Sequence, residues 1–260
     1  MECIITTGYG NRSDVGSVGL GVSCHLRRCK AGRKVWVVLM SNVRIIHGDC
    51  MEAMASMKDK EFELAIVDPP YNIGGDSIHA GRLKKGSGKL KNRAIQLLDS
   101  KFDEIPLDEN YFNELFRVSQ SQIIWGMNYF ELPRTRGVIC WDKVQPWENF
   151  SQIELAWTSF DYPAKLYRYD NRTGGKIHPT QKPVALYQWL LKNYAKPGDK
   201  ILDTHGGSMS IAIACHDLGF DLTLYEIDKD YFKAGKERLE RHMAQSNLFM
   251  GQNELIVEAM

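Results

Sequence analysis

The residues with the clearest chemical potential are Asp68-Pro69-Pro70-Tyr71, which follow the apolar run 62–67. Two consecutive prolines cannot continue a central strand, so the chain must turn there, with a carboxylate, an outward backbone carbonyl and an aromatic ring close together. A carboxylate and a carbonyl can accept both protons of an exocyclic amine on a nucleobase. This draws the nitrogen toward tetrahedral geometry and localises its lone pair for attack. Tyr71 offers a stacking face for an extruded base.

A second group of residues is typical of nucleotide binding. The segment 203–208 (Asp-Thr-His-Gly-Gly-Ser) lies between a predicted strand and a predicted helix. Its adjacent glycines let the backbone approach a ligand and leave helix N–H groups facing it. About twenty residues later, Glu226 ends another apolar run and can accept both hydroxyls of a ribose. Alone, these residues fit any nucleotide-binding fold, including that of a dinucleotide dehydrogenase, but no Gly-Lys-Ser/Thr follows to indicate an NTPase loop.

The elements that must position these residues alternate along the chain. Strand patterns lie at 45–49, 62–67, 122–126, 137–141, 153–160, 200–203 and 222–227, and helical patterns at 51–57, 108–118, 184–194, 209–217 and 230–245. Strands separated by helix-length segments imply a parallel sheet with helices on both faces. Ligands of such sheets bind beyond the carboxyl ends of the strands, and both chemical groups follow strands directly.

Composition limits the class of protein. The 260 residues are 43% hydrophobic and 25% charged, with a formal net charge of +1, which is ordinary for a globular domain with a real core. No apolar run approaches the roughly 20 residues of a membrane span. Six scattered cysteines without a disulfide rhythm favour a reducing cytoplasm. A zinc site at Cys24, His25 and Cys29 would lack a second ligand pair, so no metal is predicted.

Residues 1–39 differ from the rest of the chain. They combine a Gly/Ser-rich opening with a basic cluster and show no sustained period. We expect them to be a non-native or disordered leader and Met40 to be the natural start of a single domain over 40–260. That domain contains a long loop at 72–104 and a short segment at about 162–177 that is available for target recognition.

A basic run lies in the long loop, directly downstream of Tyr71. Its six cations, with no acidic residue between them, are Arg82, Lys84, Lys85, Lys89, Lys91 and Arg93. A glycine-containing basic loop can contact phosphates and become ordered on DNA. A solvated run without a role is the usual explanation of such a segment, but its position beside the 68–71 turn favours DNA contact.

Three motifs in this order resemble the amino-DNA methyltransferases of the β group. They are 68–71 (Asp-Pro-Pro-Tyr), 178–183 (His-Pro-Thr-Gln-Lys-Pro) and the turn at 203–210, and the similarity covers about 43–240. The resemblance implies an α/β, Rossmann-like methyltransferase fold, with a mostly parallel twisted sheet of about seven strands whose last two form an antiparallel hairpin. It also implies S-adenosylmethionine as cofactor and double-stranded DNA as partner, and it allows a homodimer.

Carried over by position, the resemblance gives roles to individual residues. Asp68, Pro69 and Tyr71 would grip the target base, and Pro70 completes the catalytic motif. Trp125 and Asn128 would border the base pocket. The residues implied for the cofactor are Asp49 and Cys50 beside its adenine, Glu226 on its ribose, Asp203, His205, Gly206, Gly207 and Ser208 along its methionine part, and Lys182 facing its pocket.

The cofactor turn departs from the family's usual Asp-Pro-Phe-x-Gly-Ser-Gly-Thr. The differing residues are Thr204, His205, Met209 and Ser210. His205 can still present a flat ring to the cofactor. The side chain of Met209, where the family has glycine, either crowds the turn or points into helix packing.

Together these features predict an S-adenosylmethionine-dependent DNA methyltransferase that acts on N6 of a flipped adenine. By resemblance, aspartate in the first motif position favours adenine over N4 of cytosine, although the amine chemistry is the same. RNA is a further alternative, without a recognisable RNA-binding module in its support. A catalytically weak subunit that binds cofactor or DNA is the alternative of another class, whereas a dehydrogenase gives no reason for the Asp68–Tyr71 motif.

Overall fold

A computed structural model of the chain describes residues 20–28, 34–71, 107–145, 151–170, 181–250 and 256–259. Ten strands in these residues form one sheet. The strands are β1 (Leu20–Arg28), β2 (Lys34–His47), β3 (Phe62–Val67), β4 (Ser119–Trp125), β5 (Val138–Asp142), β6 (Ile153–Thr158), β7 (Lys165–Arg168), β8 (Lys200–Asp203), β9 (Asp221–Glu226) and β10 (Ile256–Ala259). The α-helices are α1 (Cys50–Ser56), α2 (Tyr111–Val118), α3 (Val184–Tyr194), α4 (Ser210–Leu218) and α5 (Lys229–Met250).

The centre of the sheet is parallel. Strands β2, β9, β8, β3 and β4 lie side by side in that order, each parallel to its neighbour. Beyond β4, strand β6 pairs antiparallel with both β4 and β5, and β7 runs parallel to β5. The predicted mostly parallel α/β sheet is therefore confirmed.

The antiparallel hairpin lies in the middle of the chain, where β5 meets β6, and not at the last two strands. Only residues 143–152 connect β5 to β6. Ten residues are too few for the helical crossover that parallel neighbours need, so the chain returns antiparallel. All seven predicted strands are present, and β1, β7 and β10 are additional.

Alternate residues of the central strands pack into two separate hydrophobic cores. In β3, Leu64 and Ile66 belong to one core, and Ala65 and Val67 belong to the other. Successive side chains of a strand point to opposite faces, so the two cores cover the two faces of the sheet. Residues of α3 and α4 fill the first core, and residues of α1 and α2 fill the second. The predicted placement of helices on both faces is confirmed.

The first half of β2 forms a hairpin with β1, although the sequence pattern predicts no strand before residue 45. Residues 20–28 pair antiparallel with residues 34–42, and the second half of β2 lies between β9 and β10. Glycine and basic residues interrupt the apolar pattern around β1 and hide that strand, whereas residues 35–40 (Val-Trp-Val-Val-Leu-Met) are an unbroken apolar run of strand length in β2. That residues 1–39 are a leader outside the native protein stays a prediction.

Several predicted features lie outside the described residues. They are the loop at 72–104, residues 171–177 of the target-recognition segment, and the six cations Arg82, Lys84, Lys85, Lys89, Lys91 and Arg93. The remainder of the target-recognition segment contains β7, a strand of four residues. None of the helices in the described residues has the length and hydrophobicity needed to span a lipid bilayer.

Candidate active site

The carboxyl ends of the parallel strands meet at one edge of the sheet, where they line a cavity of about 890 Å³. This is the edge at which ligands of parallel sheets bind. All residues predicted for catalysis or cofactor binding, except Asp203, line this cavity: Asp49, Cys50, Asp68, Pro69, Pro70, Tyr71, Lys182, His205, Gly206, Gly207, Ser208 and Glu226. Residues that lie far apart along the chain are thereby brought together.

Asp203 lies behind the cavity wall and not in it. Its side chain is buried, and its Oδ1 accepts a hydrogen bond from the backbone N–H of His205 at 3.0 Å. Burial raises the pKa of Asp203 to about 8, against the effect of that N–H. At the last residue of β8, the carboxyl group turns back to hold the start of the turn, so it supports the residues that face the cavity.

The Asp68–Tyr71 turn presents its ring and carboxylate as one bonded unit. The hydroxyl of Tyr71 donates to Oδ1 of Asp68 at 2.6 Å. Burial, followed by the charge of Asp68, raises the pKa of Tyr71 well above its usual value, so the hydroxyl stays a donor. The ring lies against Gly126, which has φ of 76°, and a β-carbon there would be 2.3 Å from Cε1 of Tyr71. The absence of a side chain at Gly126, directly after β4, therefore leaves room for the Tyr71 ring.

One face of the Tyr71 ring is covered by Tyr129. The two ring centroids are 4.8 Å apart and the planes differ by 16°. Tyr129 is 46% exposed and lies in the short 3₁₀ helix Met127–Tyr129 that follows Gly126. A base that stacks on this face of Tyr71 must displace Tyr129.

Lys182 lies in a chain of four charged side chains, in which Lys182 is buried and the other three are half-buried. Its Nζ contacts Oδ2 of Asp68 and is 3.1 Å from Oε2 of Glu154. The other oxygen of Glu154, Oε1, is 2.5 Å from Nζ of Lys143. Ammonium and carboxylate groups alternate along this chain, so it is neutral as a whole.

The charges of this chain are maintained by their neighbours. Burial by itself lowers the pKa of Lys182, but Asp68 and Glu154 outweigh burial and raise it above its ordinary value. Burial by itself raises the pKa of Glu154, but Lys182 and then Lys143 hold it below its ordinary value. Both groups are therefore charged at neutral pH.

Lys182 also explains the position of Trp125. Nζ of Lys182 is 5.1 Å from the centroid of the Trp125 ring, and this ring is fully buried beneath it. Trp125 is therefore not part of the cavity wall, in contrast to the prediction, because it packs under the ammonium group that reaches Asp68. Asn128 does line the cavity, as predicted.

The turn after β8 is tied to the end of β9 by Glu226. Its Oε2 accepts from the N–H of Gly207 at 2.6 Å, and its Oε1 accepts from the N–H of Asp228 at 2.8 Å. Burial raises the pKa of Glu226. Because each carboxylate oxygen has two lone pairs, Glu226 can hold the turn and still accept from two hydroxyls of a ribose. This donor and acceptor set fits a nucleoside.

Asp49 and Cys50, which follow β2, line another part of the cavity. Oδ1 of Asp49 accepts from the N–H of Met51 at 2.7 Å and so caps the N-terminus of α1. Burial, together with the charge of Asp49, raises the pKa of the Cys50 thiol to about 12. Cys50 is therefore a neutral, weakly polar surface beside the cavity and not a nucleophile.

Two of the residues that depart from the family pattern, Thr204 and His205, are joined by a hydrogen bond that continues to Tyr111 of α2. Nδ1 of His205 is 2.9 Å from Oγ1 of Thr204, which is 2.6 Å from the hydroxyl oxygen of Tyr111. The rings of Tyr111 and His205 meet edge to face with centroids 5.4 Å apart. Burial lowers the pKa of His205 to about 4, so the ring is neutral at pH 7. Thr204, His205 and Tyr111 thus form one hydrogen-bonded unit that orients the His205 ring.

Sequence reasoning misses Glu154, Lys143 and Tyr129. The signal for Glu154 is a lone carboxylate within the apolar run 153–160, because a charge in a strand of that kind is costly unless it is paired. Lys143 follows a strand and has no comparable signal. Tyr129 is one of two aromatic residues that follow a strand, which is too common a pattern to indicate a site.

Comparisons with known proteins find DNA methyltransferases. Residues 124–237 match a family model described as DNA methylase. Type II methyltransferase M.HpaI of Haemophilus parainfluenzae is 23% identical over 237 residues, which cover 76% of this chain and 74% of that protein. DNA adenine methyltransferase YhdJ of Escherichia coli (strain K12) is 23% identical over 246 residues, which cover 75% of this chain and 82% of that protein.

Solved structures show the same fold. TTHA0409 from Thermus thermophilus, complexed with S-adenosyl-L-methionine, has a TM-score of 0.50 at 16% identity, covering 84% of this chain and 97% of that one. PvuII DNA methyltransferase (cytosine-N4-specific) has a TM-score of 0.50 at 12% identity, covering 84% and 95%. The resemblance predicted from the sequence is confirmed: residues 124–237 match the DNA methylase model, and the chain is similar to DNA methyltransferases over about three quarters of its length.

Proposed function

We propose that this protein transfers a methyl group from S-adenosylmethionine to N6 of an adenine turned out of double-stranded DNA. The observation that carries the proposal is the Asp68–Tyr71 turn, in which a carboxylate and a ring face the same cavity as Glu226 and the glycine turn. The adenine methyltransferase named above supports the choice of base. The neighbour complexed with S-adenosyl-L-methionine supports the choice of cofactor.

The cavity offers groups for each part of the cofactor. Glu226 would accept from the ribose hydroxyls, Asp49 and Cys50 would border the adenine, and residues 205–208 would border the methionine part. When bound, S-adenosylmethionine supplies a methyl group on a positively charged sulfur, which keeps the electron pair of the bond that breaks.

Asp68 prepares the base for reaction. Its carboxylate and the carbonyl of Pro69 accept the two amine protons, which localises the nitrogen lone pair for the new carbon–nitrogen bond. The Asp68 oxygens are held by Tyr71 and Lys182 before a base arrives, so little reorganisation is needed. The methylated nitrogen carries one proton too many, and Asp68 is placed to accept it as a general base.

Tyr71 stabilises the extruded base. Extrusion costs a few kcal/mol, and stacking on an aromatic side chain contributes about 1–3 kcal/mol per base. We assign the phosphate contacts that hold the opened duplex to the basic run 82–93, which lies next to Tyr71 in the sequence.

N4 of cytosine is the second candidate. The amine chemistry is the same, and one structural neighbour is cytosine-N4-specific. The two bases are separated by mass spectrometry of nucleosides, using unmethylated DNA incubated with the protein and methyl-labelled S-adenosylmethionine. We expect labelled N6-methyladenine, and its loss in Asp68→Ala.

The control is Asp161→Ala, because Asp161 is exposed and pairs across the surface with Arg136. It should keep full activity. Labelled N4-methylcytosine would keep the mechanism and overturn the assignment of the base. No labelled base at saturating cofactor would contradict the proposal and favour a subunit that only binds.

A further inference from the structure

We propose that Lys182, fixed in place by Glu154, is a positioning residue that keeps Asp68 an ionised acceptor when a base closes the cavity. Its catalytic meaning rests on the proposed function. The contacts that support it and the titration that tests it are independent of that function.

The need for such a residue follows from the position of Asp68. Its side chain is 19% exposed, and it lines the cavity that a base and cofactor would fill. A carboxylate that loses its water takes up a proton unless a positive charge compensates for the loss. A protonated Asp68 would carry a donor on one oxygen and would accept less well from the amine.

Lys182 supplies that positive charge from the buried side. Its side chain is 2% exposed, and its Nζ lies between Oδ2 of Asp68 and Oε2 of Glu154. The ring of Trp125 closes the space beneath it. Two carboxylates at ion-pair distance stabilise the charged form of Lys182, and its hydrogen bonds point to Oδ2 of Asp68 and, at 3.5 Å, to the hydroxyl of Tyr71.

Glu154 is itself balanced by Lys143, at 2.5 Å from its other oxygen. Without Lys143, two carboxylates would share one ammonium, and a buried excess charge would be costly. Lys143 contacts Oε1, and Oε2 lies 3.1 Å from Nζ of Lys182 as an ion pair without hydrogen-bond geometry. Glu154 therefore orients Lys182 without adding net negative charge to the site.

Within the described residues, Lys182 is the positively charged group in direct contact with Asp68. The titratable groups that face this part of the site come from the turn itself and from the elements packed against it: Tyr71, Tyr111 of α2, Glu154 of β6, Lys182, Tyr187 of α3 and Asp203 of β8. Lys143 also lines the cavity, but its ammonium group pairs with Glu154. Removal of Lys182 therefore takes away the positive charge that contacts Asp68 within the described residues. The ionised form of Asp68 then loses its main support.

The test is a carbon-13 NMR titration of protein labelled at the aspartate carboxyl carbons, without cofactor or DNA. The Asp68 signal is identified by its loss in Asp68→Asn. In Lys182→Met we expect the titration midpoint of Asp68 to lie at least about one pH unit above that of the wild type. Lys192→Met is the matched control, because Lys192 is an exposed residue of α3. In this control the midpoint of Asp68 should equal that of the wild type.

Two further variants keep the test decisive. Lys182→Met leaves Glu154 without one of its partners and can destabilise the fold, so Lys182→Met/Glu154→Gln removes that charge as well and must also show an Asp68 midpoint above that of the wild type. Glu154→Gln alone keeps the ammonium on Asp68. It should leave the Asp68 midpoint within about half a pH unit of the wild type or lower it, while kcat falls because Lys182 is less firmly oriented.

Kinetics give a second readout. In Lys182→Met the loss of kcat should be larger at pH 6 than at pH 8, because a raised midpoint leaves less ionised Asp68 at the lower pH, and cofactor Kd should stay within about twofold of the wild type. An unchanged Asp68 midpoint together with lost cofactor affinity would overturn the inference and make Lys182 a cofactor ligand. A wild-type protein that methylates no base would refute the proposed function, and the NMR midpoints would still decide the role of Lys182.

Discussion

The side chain of Met209 packs directly onto the backbone of Gly235. A β-carbon on Gly235 would lie 2.8 Å from Cγ of Met209. Met209 has φ of 56° and ψ of 31°, a left-handed conformation that strains residues with a β-carbon, and its side chain is fully buried. A glycine in α5 therefore accommodates the methionine that replaces a glycine in the cofactor turn. Of the two outcomes that the sequence leaves open, the structure shows helix packing.

Met209→Gly should destabilise the protein without improving cofactor binding. The substitution relieves about 1–2 kcal/mol of backbone strain but removes a buried side chain worth about 2–5 kcal/mol. We expect a net loss of about 1–3 kcal/mol in the free energy of unfolding, measured in urea. Calorimetry should show cofactor Kd close to that of the wild type, and a clear gain in affinity would mean that Met209 does crowd the turn.

Gly235→Ala tests the same contact from the other side. Its new β-carbon meets Met209 and should lower stability by about 1–3 kcal/mol through overpacking. In Met209→Gly/Gly235→Ala the contacts with Met209 are gone and the carbonyl oxygen of Gly207, 3.1 Å from the β-carbon position, remains, so the double variant should be more stable than the sum of the single effects predicts. Simple additivity would show that the two residues are not coupled.

Gly126→Ala should impair catalysis on DNA more than cofactor binding. The new β-carbon would lie 2.3 Å from the Tyr71 ring, which has to move away from its place beside Asp68. We expect at least about a tenfold loss of kcat with little change in cofactor Kd. Gly198→Ala is the control, because Gly198 also has positive φ, at 94°, but nothing lies within 4 Å of its β-carbon position. Equal losses in both variants would point to backbone strain alone.

His205→Phe should reduce the decrease in the free energy of unfolding that the wild type shows between pH 7.5 and pH 5. The pKa of His205 is about 4 in the folded protein because the ring is buried, against about 6.5 in the unfolded chain. Between these values the unfolded chain binds a proton that the folded protein does not. Stability therefore falls as pH falls, by at most about 1.4 kcal/mol per pH unit. Urea unfolding at pH 7.5 and pH 5 measures the difference, and an equal decrease in variant and wild type would contradict it.

Neutralising the basic run should weaken DNA binding and its dependence on salt. The variant replaces four lysines with glutamine, namely Lys84, Lys85, Lys89 and Lys91. If all four contact phosphates, the slope of log affinity against log salt concentration becomes shallower by about 3.6. The control replaces four lysines that are exposed on the described surface, namely Lys192, Lys196, Lys200 and Lys233. Identical salt slopes in the two variants would refute a specific role for the run.

The sequence by itself determined which segments form the parallel sheet and which residues follow its strands. Apolar runs, paired prolines and adjacent glycines act through neighbours along the chain, so their consequences can be predicted locally. This is why the Asp68–Tyr71 turn, the glycine turn and Glu226 could be assigned to one edge of the sheet. The short strand β7 escapes the same analysis because four residues at a sheet edge carry too little pattern.

Only the tertiary structure decided which charges meet. Lys182 and Asp68 are 114 residues apart in the chain, and nothing in the local sequence of either indicates the other. The same holds for Met209 and Gly235, whose contact depends on where α5 crosses the cofactor turn. Buried charges and close-packed side chains are stabilised only by specific partners in space. Those partners are set by the topology that places β3, β6 and the start of α3 around one cavity.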